Sequence, residues 1–371
     1  MDILHSRIAI IIGTKAELIK CMPIMLELQK QKKDYWFIHT GQHSLKDACE
    51  EFNIKKPDFL LSKAPDAGTK FWSKITLKTF LWNIDTMLRI RRIIQNLKPR
   101  YVLYHGDTMN TAMAVGASAW VLNPFKKWKT VHLEAGLRSG SLSEPFPEEF
   151  IRRVADKFSD ILLVVSDLTE KNLKKERKIG RIINVGNTIL DAAPMAFEKG
   201  KKKYKKEKKI YALINIHRHE NLKSRERLSQ IVNILRNIKI NAIWPMHDNT
   251  KHFLEEYGLM DLIIEKKNIK VIPLIDYFQF IFLLANCQYI LADGGSIQEE
   301  SLIFKKPCII LRKRTERQEG LDTGLNFLTE LDVKKTKKII EDIEMGRIKT
   351  NSFKNPYGEI GVSKKIVNIL K

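Results

Sequence analysis

The sequence predicts an α/β protein built of two doubly wound parallel-sheet domains facing a central cleft. Three observations carry that expectation. Short apolar, β-branched runs alternate with longer helical stretches, the pattern of parallel strands joined by crossover helices. The chain has 371 residues, more than the roughly 250–300 at which a single hydrophobic core stops growing. A block of eight lysines between Lys199 and Lys209 interrupts the alternation, which then restarts.

In the first half the buried-strand signal falls at Ile8–Ile12, Tyr35–His39, Tyr101–Tyr104, Thr130–Leu133 and Ile161–Val165. Helical stretches fill the gaps at Glu17–Lys30, Ile84–Leu97, Ala112–Val121 and Glu148–Phe158. Pro145 and Pro147 mark the start of that last helix, with Glu148 and Glu149 in its first turn, where the helix dipole favours negative charge. After the lysines, strands are expected at Ile210–Ile214, Asn241–Trp244, Ile269–Ile272, Tyr289–Leu291 and Cys308–Leu311, and a helix over Leu222–Ile238. The expected division is a first domain over 1–198, a solvated linker over 199–209 and a second domain over 210–355. The last helix, within 356–371, is expected to pack back on the first domain.

Composition narrows the class. Apolar residues make up 44%, enough for two ordinary cores. No apolar leader with a small-residue cleavage site is read at the N-terminus, so a cytoplasmic protein is expected. The longest apolar segment, Phe278 to Ala292, is interrupted by Gln279, Asn286 and Gln288 and is too short to span a bilayer. Cys21, Cys49, Cys287 and Cys308 lack metal or disulfide spacing and read as buried thiols. The net charge is +22, but the lysines are dispersed apart from the one block. Neither nucleic acid nor membrane insertion is expected.

The chemistry gathers at strand ends. Glu134 follows the Thr130–Leu133 strand directly, Arg138 comes four residues later, and Glu148 opens the next helix. Carboxylates around a strand's C-terminal end beside an arginine suit proton transfer next to an anion. Asp107 ends another strand after Gly106, and as a helix cap it would be equally at home. The loop Gly13 to Lys20 offers backbone amides with Lys15 and Lys20 to a phosphate or sugar oxygen. Thr40-Gly41-Gln42-His43 is a second such loop. In the second half, His217 and Arg218 sit where a strand gives way to a helix, a good diphosphate site. Asp293-Gly294-Gly295-Ser296 ends a strand with two glycines and begins a helix. That is a cradle for a nucleotide's phosphates, with Ser296 as the helix cap and Glu300 one turn inward for the ribose. Phe280 lies on a helical stretch just before, where an aromatic is as well placed in a core as at a ligand.

These motifs resemble, in order, the UDP-N-acetylglucosamine 2-epimerase family. HLEAGLR with PFPEE matches its HVEAGLR…PFPEE, HGDT its GDT, VGNT its TGNT, HRHEN its HRREN, and DGGSIQEE its DSGGIQEE. Thr315-Glu316-Arg317-Gln318-Glu319 is similar to its TTERPE, and the chain carries GTKAELIK for its GTRPEAIK. The resemblance implies a GT-B fold with the nucleotide mainly on the second domain and the sugar and catalytic carboxylates on the first. It implies Asp107, Glu134, Glu148 and His217 as catalytic candidates, His217 also touching phosphate. For substrate contacts it implies Lys15, Lys20, Arg138, Arg218, Phe280 near the uracil, Gly294, Gly295, Ser296, Glu300 and Arg317. The reaction implied is reversible inversion at C2 of UDP-GlcNAc to UDP-ManNAc, with no redox cofactor and no metal, by a cytoplasmic homodimer that feeds cell-surface polysaccharide synthesis. Alternatives are a hydrolysing epimerase releasing ManNAc, an epimerase for a modified UDP-HexNAc, a glycosyltransferase of the same fold, and a non-catalytic nucleotide-sugar sensor.

Overall fold

The structure, a computed structural model, describes residues 8–42, 45–61, 77–141, 147–176, 179–348 and 353–370. The chain divides into two compact units, Met1–Ala192 with Tyr357–Lys371, and Ala193–Pro356.

The first unit alternates strand and helix from its start: β1 (Ile8–Ile12), α1 (Lys15–Lys30), β2 (Tyr35–His39), α2 (Lys46–Phe52), β3 (Phe59–Leu60), α3 (Leu77–Leu97), β4 (Tyr101–His105) and α4 (Met109–Ser118). It continues through β5 (Lys129–Ala135), α5 (Glu148–Phe158), β6 (Ile161–Val164), α6 (Asp167–Lys175), β7 (Arg181–Asn184) and α7 (Ile189–Lys203). The strands form one parallel sheet in the order β3-β2-β1-β4-β5-β6-β7. The order reverses between β1 and β4, so the loops after these strands diverge at the sheet's C-terminal edge and leave room for a ligand. β1 and β4 are buried along their whole length, as strands covered on both faces must be. Ala9, Ile11, Val102 and Tyr104 pack there with Ile90, Ile94, Met113 and Ala114 from α3 and α4.

α7 carries the chain past the division and runs to Lys203, into the lysine stretch. The second unit then builds β8 (Tyr211–Asn215), α8 (His219–Leu222), α9 (Arg225–Leu235), β9 (Asn241–Met246), α10 (Asp248–Glu256), α11 (Met260–Ile264), β10 (Ile269–Pro273) and α12 (Tyr277–Asn286). It ends with β11 (Tyr289–Ala292), α13 (Gly295–Ile303), β12 (Cys308–Ile310), a short 3-10 turn at Gln318–Thr323, β13 (Asn326–Leu328) and α14 (Val333–Glu344). Its parallel sheet runs β10-β9-β8-β11-β12-β13, with the switch between β8 and β11. Trp244 is wholly buried with Ile214, Ile231, Leu235 and Leu291 on one face of this sheet. Helix α15 (Val362–Ile369) belongs to the first unit. Asp191 of α7 anchors it, accepting from the Gly361 amide at 2.6 Å and the Ser363 amide at 2.8 Å.

Two expected helices are redrawn. The one over Leu222–Ile238 is split into α8 and α9, because the Ser224 side chain caps α9 by accepting from the Arg227 amide. The one over Ala112–Val121 stops at Ser118, and Asn123 Nδ2 takes the freed carbonyls of Ala117 and Ala119. The four cysteines are free and buried. Among the described residues no helix is long and apolar enough to cross a membrane, and no cluster of three or more His, Cys, Asp or Glu is arranged to hold a metal.

Candidate active site

In the first unit the polar side chains converge around Glu134. It sits in β5 where the register against β6 shifts between Leu133 and Ala135, with φ at +69°. A left-handed glutamate costs about 1–3 kcal/mol and persists only where its surroundings demand it. The demand is visible. Glu134 Oε1 receives Lys20 Nζ at 3.0 Å and Asn187 Nδ2 at 3.3 Å, and Oε2 lies 2.9 Å from His105 Nε2. Lys20 also donates to Asn187 Oδ1 at 3.0 Å, and that oxygen accepts from the Ile189 amide as α7 begins. Asn187 therefore ties the start of α7 to this cluster. Lys20, Glu134 and Asn187 are all buried.

Asp107 leaves the adjacent strand, β4. It is not the cap of α4, because Thr108 fills that position by accepting from the Thr111 amide. Its carboxylate pairs with Arg152 of α5, and Arg152 Nη1 in turn holds Glu149 Oε2 at 2.6 Å. Glu148, half-buried, opens the same helix beside Glu149. α5 thus brings its first turn to the Asp107 loop through a buried arginine. Pro145, the other expected helix-start signal, lies outside the described residues, as does His43 of the Thr40–His43 loop.

Arg138 is committed internally. It forms a two-pronged pair with Glu176 at 2.8 Å on both contacts and reaches Asp156 Oδ2 at 2.7 Å. Burial works against its charge, but Glu176 and Asp156 more than compensate and raise its pKa further. Asp156 also accepts from His132 Nδ1 at 2.8 Å, whose Nε2 meets the Gly106 carbonyl at 2.8 Å. Although burial opposes it, these partners hold the Asp156 carboxyl below the usual carboxylate range. Arg138, expected at the sugar, is part of a buried brace between the loop after β5 and the helices α5 and α6.

The β1–α1 loop also differs from expectation. Its Gly13 and Thr14 amides donate to Glu17 Oε2 at 2.7 and 2.9 Å, so the loop's own glutamate takes the place foreseen for a phosphate. The Thr14-x-x-Glu17 capping box was the sequence signal for this. Gly13 is required by space, since a Cβ would lie 2.1 Å from Asn110 Oδ1. Of the loop's two lysines, Lys15 stays exposed and Lys20 turns inward to Glu134.

In the second unit the site forms where β8 and β11 end. Asp293, fully buried, accepts from the His217 and Arg218 amides at 3.0 Å each and from Asn221 Nδ2 at 3.0 Å. It folds the Ile216–Asn221 turn so that His217 stands beside Gly294. His217 Nδ1 faces Asn215 Oδ1 at 2.9 Å, which fixes the hydrogen on Nδ1 and leaves Nε2 for a ligand. The ring stacks on His247 at 4.8 Å between centroids. Burial lowers the pKa of both imidazoles, and the His217 neighbour pushes His247 down to about 4.

Gly294 caps α13 without a side chain, so Ser296 is not the cap. It sits in the first turn, partly exposed, and its hydroxyl meets no protein partner among the described residues. A Cβ on Gly294 would come within 3.3 Å of His217 Cε1, and one on Gly295 within 2.8 Å of Glu316 Oε1. Around these glycines arginine and glutamate alternate. Arg317 Nε pairs with Glu299 at 3.1 Å and its Nη1 with Glu316 at 2.8 Å, while Arg312 Nη1 reaches the other Glu316 oxygen at 3.0 Å. Glu300, on the inner side of α13, accepts from Tyr277 Oη at 2.8 Å. Phe280, on the same helix as Tyr277, packs against the apolar cluster of Ile290, Ile310 and Leu284. Sequence reasoning gave no role to Glu316, or to His105, Arg152, Asp156, Tyr277 and Glu299, the last five because they act through partners distant along the chain.

The family model described as UDP-N-acetylglucosamine 2-epimerase matches residues 26–371. The chain is 33% identical to the UDP-N-acetylglucosamine 2-epimerase of Methanocaldococcus jannaschii, over 98% of each chain. It is 34% identical to that of Methanococcus maripaludis, again over 98% of each. The solved structure of the M. jannaschii enzyme in complex with UDP-GlcNAc and UDP superposes with a TM-score of 0.82, at 32% identity, covering 98% of this chain and 99% of that one.

Proposed function

Since the chain belongs to the UDP-N-acetylglucosamine 2-epimerase family, we propose that it is a non-hydrolysing isomerase interconverting UDP-GlcNAc and UDP-ManNAc. The observation that carries the reading is Glu134, held in a costly backbone conformation between Lys20 and His105 at a strand's C-terminal end. A carboxylate so fixed is suited to taking a proton from carbon.

The C2 hydrogen of the sugar is barely acidic, because the acetamido group offers no enolate. Its removal becomes feasible when the C1–O bond to UDP breaks in the same step and the C2–H electron pair becomes the C1=C2 bond of 2-acetamidoglucal. Protonation on the opposite face, followed by re-addition of UDP to C1, gives the inverted sugar. Acid and base groups on two faces are then required, and Glu134, Asp107 and Glu148 are our candidates. His217, Arg218, Arg317, the α13 N-terminus with Gly294 and Gly295, and the open Ser296 hydroxyl are suited to the departing diphosphate. Glu300 is assigned to the ribose, Lys15 to a phosphate or sugar oxygen, and Lys20 to holding Glu134. Arg138 is assigned a bracing role, and Phe280 remains a candidate for the uracil only at the edge of its core.

The test is NMR of UDP-GlcNAc turned over in heavy water. UDP-ManNAc carrying deuterium at C2 supports the proposal, whereas free ManNAc with UDP means the hydrolysing reaction. Binding of UDP with no solvent deuterium uptake means a sensor. The same proposal extends to a cytoplasmic homodimer supplying cell-surface polysaccharide synthesis. α3 leaves Phe80, Leu81 and Leu88 more than half exposed, an apolar stripe that supports coverage by a second copy. Light scattering of the purified protein tests that part.

A further inference from the structure

The loop between α4 and β5 carries an apolar surface that the epimerase reading does not use. Trp120, Val121 and Leu122 are 54%, 51% and 42% exposed, and Phe125 at the loop's tip is 94% exposed. Apolar side chains scattered singly over a surface are ordinary, but these stand together within one short loop.

The loop is built to present them. Trp128 Nε1 donates to the Ser118 carbonyl at 2.9 Å, and Arg91 of α3 reaches the Leu122 carbonyl at 2.8 Å and Asn123 Oδ1 at 3.1 Å. With Asn123 also holding Ala117 and Ala119, the backbone is pinned on both sides of the tip. Trp120 leans on Phe158 with ring centroids 6.3 Å apart, and Lys157 Nζ stands 5.5 Å over the same Phe158 ring.

Cations border the patch. Lys127 and Lys129 are exposed on the loop itself and Lys157 on α5. Arg100, exposed at the entry to β4, accepts the Lys129 amide on its carbonyl at 2.9 Å. The acids nearby are already committed. Asp160 is paired with Lys126 and accepts from the Thr130 amide, and Asp156 is buried against His132 and Arg138.

An aromatic and aliphatic centre bordered by lysine and arginine is complementary to a bilayer surface of net negative charge. Among the described residues no helix is long and apolar enough to cross a membrane, but resting on one asks only for such a patch. A second copy fits less well. A two-fold contact sets a surface against itself and would bring these cations together. The α3 stripe assigned above to a second copy begins at Phe80, about three helical turns from Arg91.

We propose that Trp120–Lys129 is a docking surface for an anionic lipid bilayer. Trp120, Leu122 and Phe125 enter the headgroup layer, while Lys127, Lys129, Arg100 and Lys157 meet lipid phosphates. The loop joins β5 at its start, about 16 Å along the strand from Glu134, so docking leaves that end of the sheet clear. The inference is independent of which reaction the site performs.

The test is co-sedimentation of the full chain, at low salt, with vesicles of phosphatidylcholine alone or with about one-third phosphatidylglycerol. Binding to the anionic vesicles should be at least about tenfold tighter than to the neutral ones. A net charge of +22 attracts any such surface, so an apolar variant decides. Phe125→Ser should weaken anionic binding roughly tenfold, with unfolding midpoint and UDP-GlcNAc turnover unchanged. Lys127→Gln with Lys129→Gln should weaken it by about as much, whereas Lys205→Gln with Lys206→Gln in the lysine stretch should change it less than about threefold. Trp120→Ser is the second apolar variant. No binding by the parent overturns the proposal, as does parent-like binding by both apolar variants. Equal losses from the two lysine pairs would mean unspecific attraction and also overturn it. A dimer that becomes monomeric in Phe125→Ser would give the loop to a second copy instead. Binding of single-stranded RNA, without vesicle binding and lost in the same variants, would make the partner a nucleic acid and sink the proposal.

Discussion

Lys20 Nζ lies 3.0 Å from Glu134 Oε1, with 3% and 6% of the two side chains exposed. Residues separated by more than a hundred positions thus form a buried ion pair, and the bulge in β5 is what aims the carboxylate at the lysine. A buried pair gains little over apolar packing, because desolvation offsets its attraction. Its retention beside a strained backbone therefore speaks for use rather than for stability.

Glu134→Gln keeps the shape of the side chain and its contact with Lys20 but takes no proton. Turnover should fall at least about a hundredfold, with UDP affinity nearly unchanged. Steady-state kinetics with calorimetric UDP titration checks both halves. Unimpaired turnover would remove Glu134 from the chemistry.

Lys20→Met leaves the same carboxylate buried without its cation. Stability of the first unit should drop by roughly 3–5 kcal/mol, and adding Glu134→Leu should recover most of it. Urea unfolding followed by tryptophan fluorescence provides the comparison. If the single and double variants unfold alike, the pair is not coupled.

The fold was legible because it rests on local pattern. Ile8–Ile12 and Tyr289–Leu291 read as buried strands from their composition alone, and the second runs one residue further, to Ala292. The strand-end positions of Glu134, Asp107 and His217 followed from the alternation. The commitments of side chains were not legible in the same way. Arg138 and Lys20 look alike as basic residues near strand ends, yet one braces Asp156 and Glu176 while the other holds Glu134. Nothing within a window of ten residues distinguishes them, since their partners arrive from α5, α6 and β5. The β1–α1 amides were misassigned for a different reason. Glu17 lies within reach in sequence, but a capping box and a phosphate site want the same glycine-bearing turn, and the carboxylate was already there.

The stacked pair His217 and His247 should make UDP binding pH-dependent. Burial lowers the His217 pKa in the free protein, so the ring is neutral near neutrality. A diphosphate beside it favours the imidazolium and raises the pKa in the complex. Binding should therefore take up protons in the window between the two values. UDP affinity should strengthen as pH falls through the value in the complex, then level off below that of the free protein. Titration calorimetry in buffers of different ionisation enthalpy measures the uptake, and His217→Asn should abolish most of it. Proton release on binding, or uptake unchanged in the variant, would contradict the placement of the diphosphate at His217.

The last prediction concerns the ribose. Tyr277 Oη donates to Glu300 Oε1 at 2.8 Å, and the carboxylate so held is the one assigned to a sugar hydroxyl. The orientation of Glu300 depends on that bond, because the Tyr277 hydroxyl is held in its un-ionised, donating form by burial and by Glu300 itself. Removing the donor with Tyr277→Phe changes no apolar packing and takes one hydrogen bond from Glu300. A hydrogen bond to a charged acceptor is worth about 1.5–3 kcal/mol. Its loss should weaken UDP binding by roughly tenfold if the ribose contact relies on it. 2′-Deoxy-UDP and 3′-deoxy-UDP supply the control, since whichever lacks the hydroxyl that meets Glu300 should bind parent and variant equally. Equal losses for UDP and both deoxy analogues would place Glu300 away from the ribose.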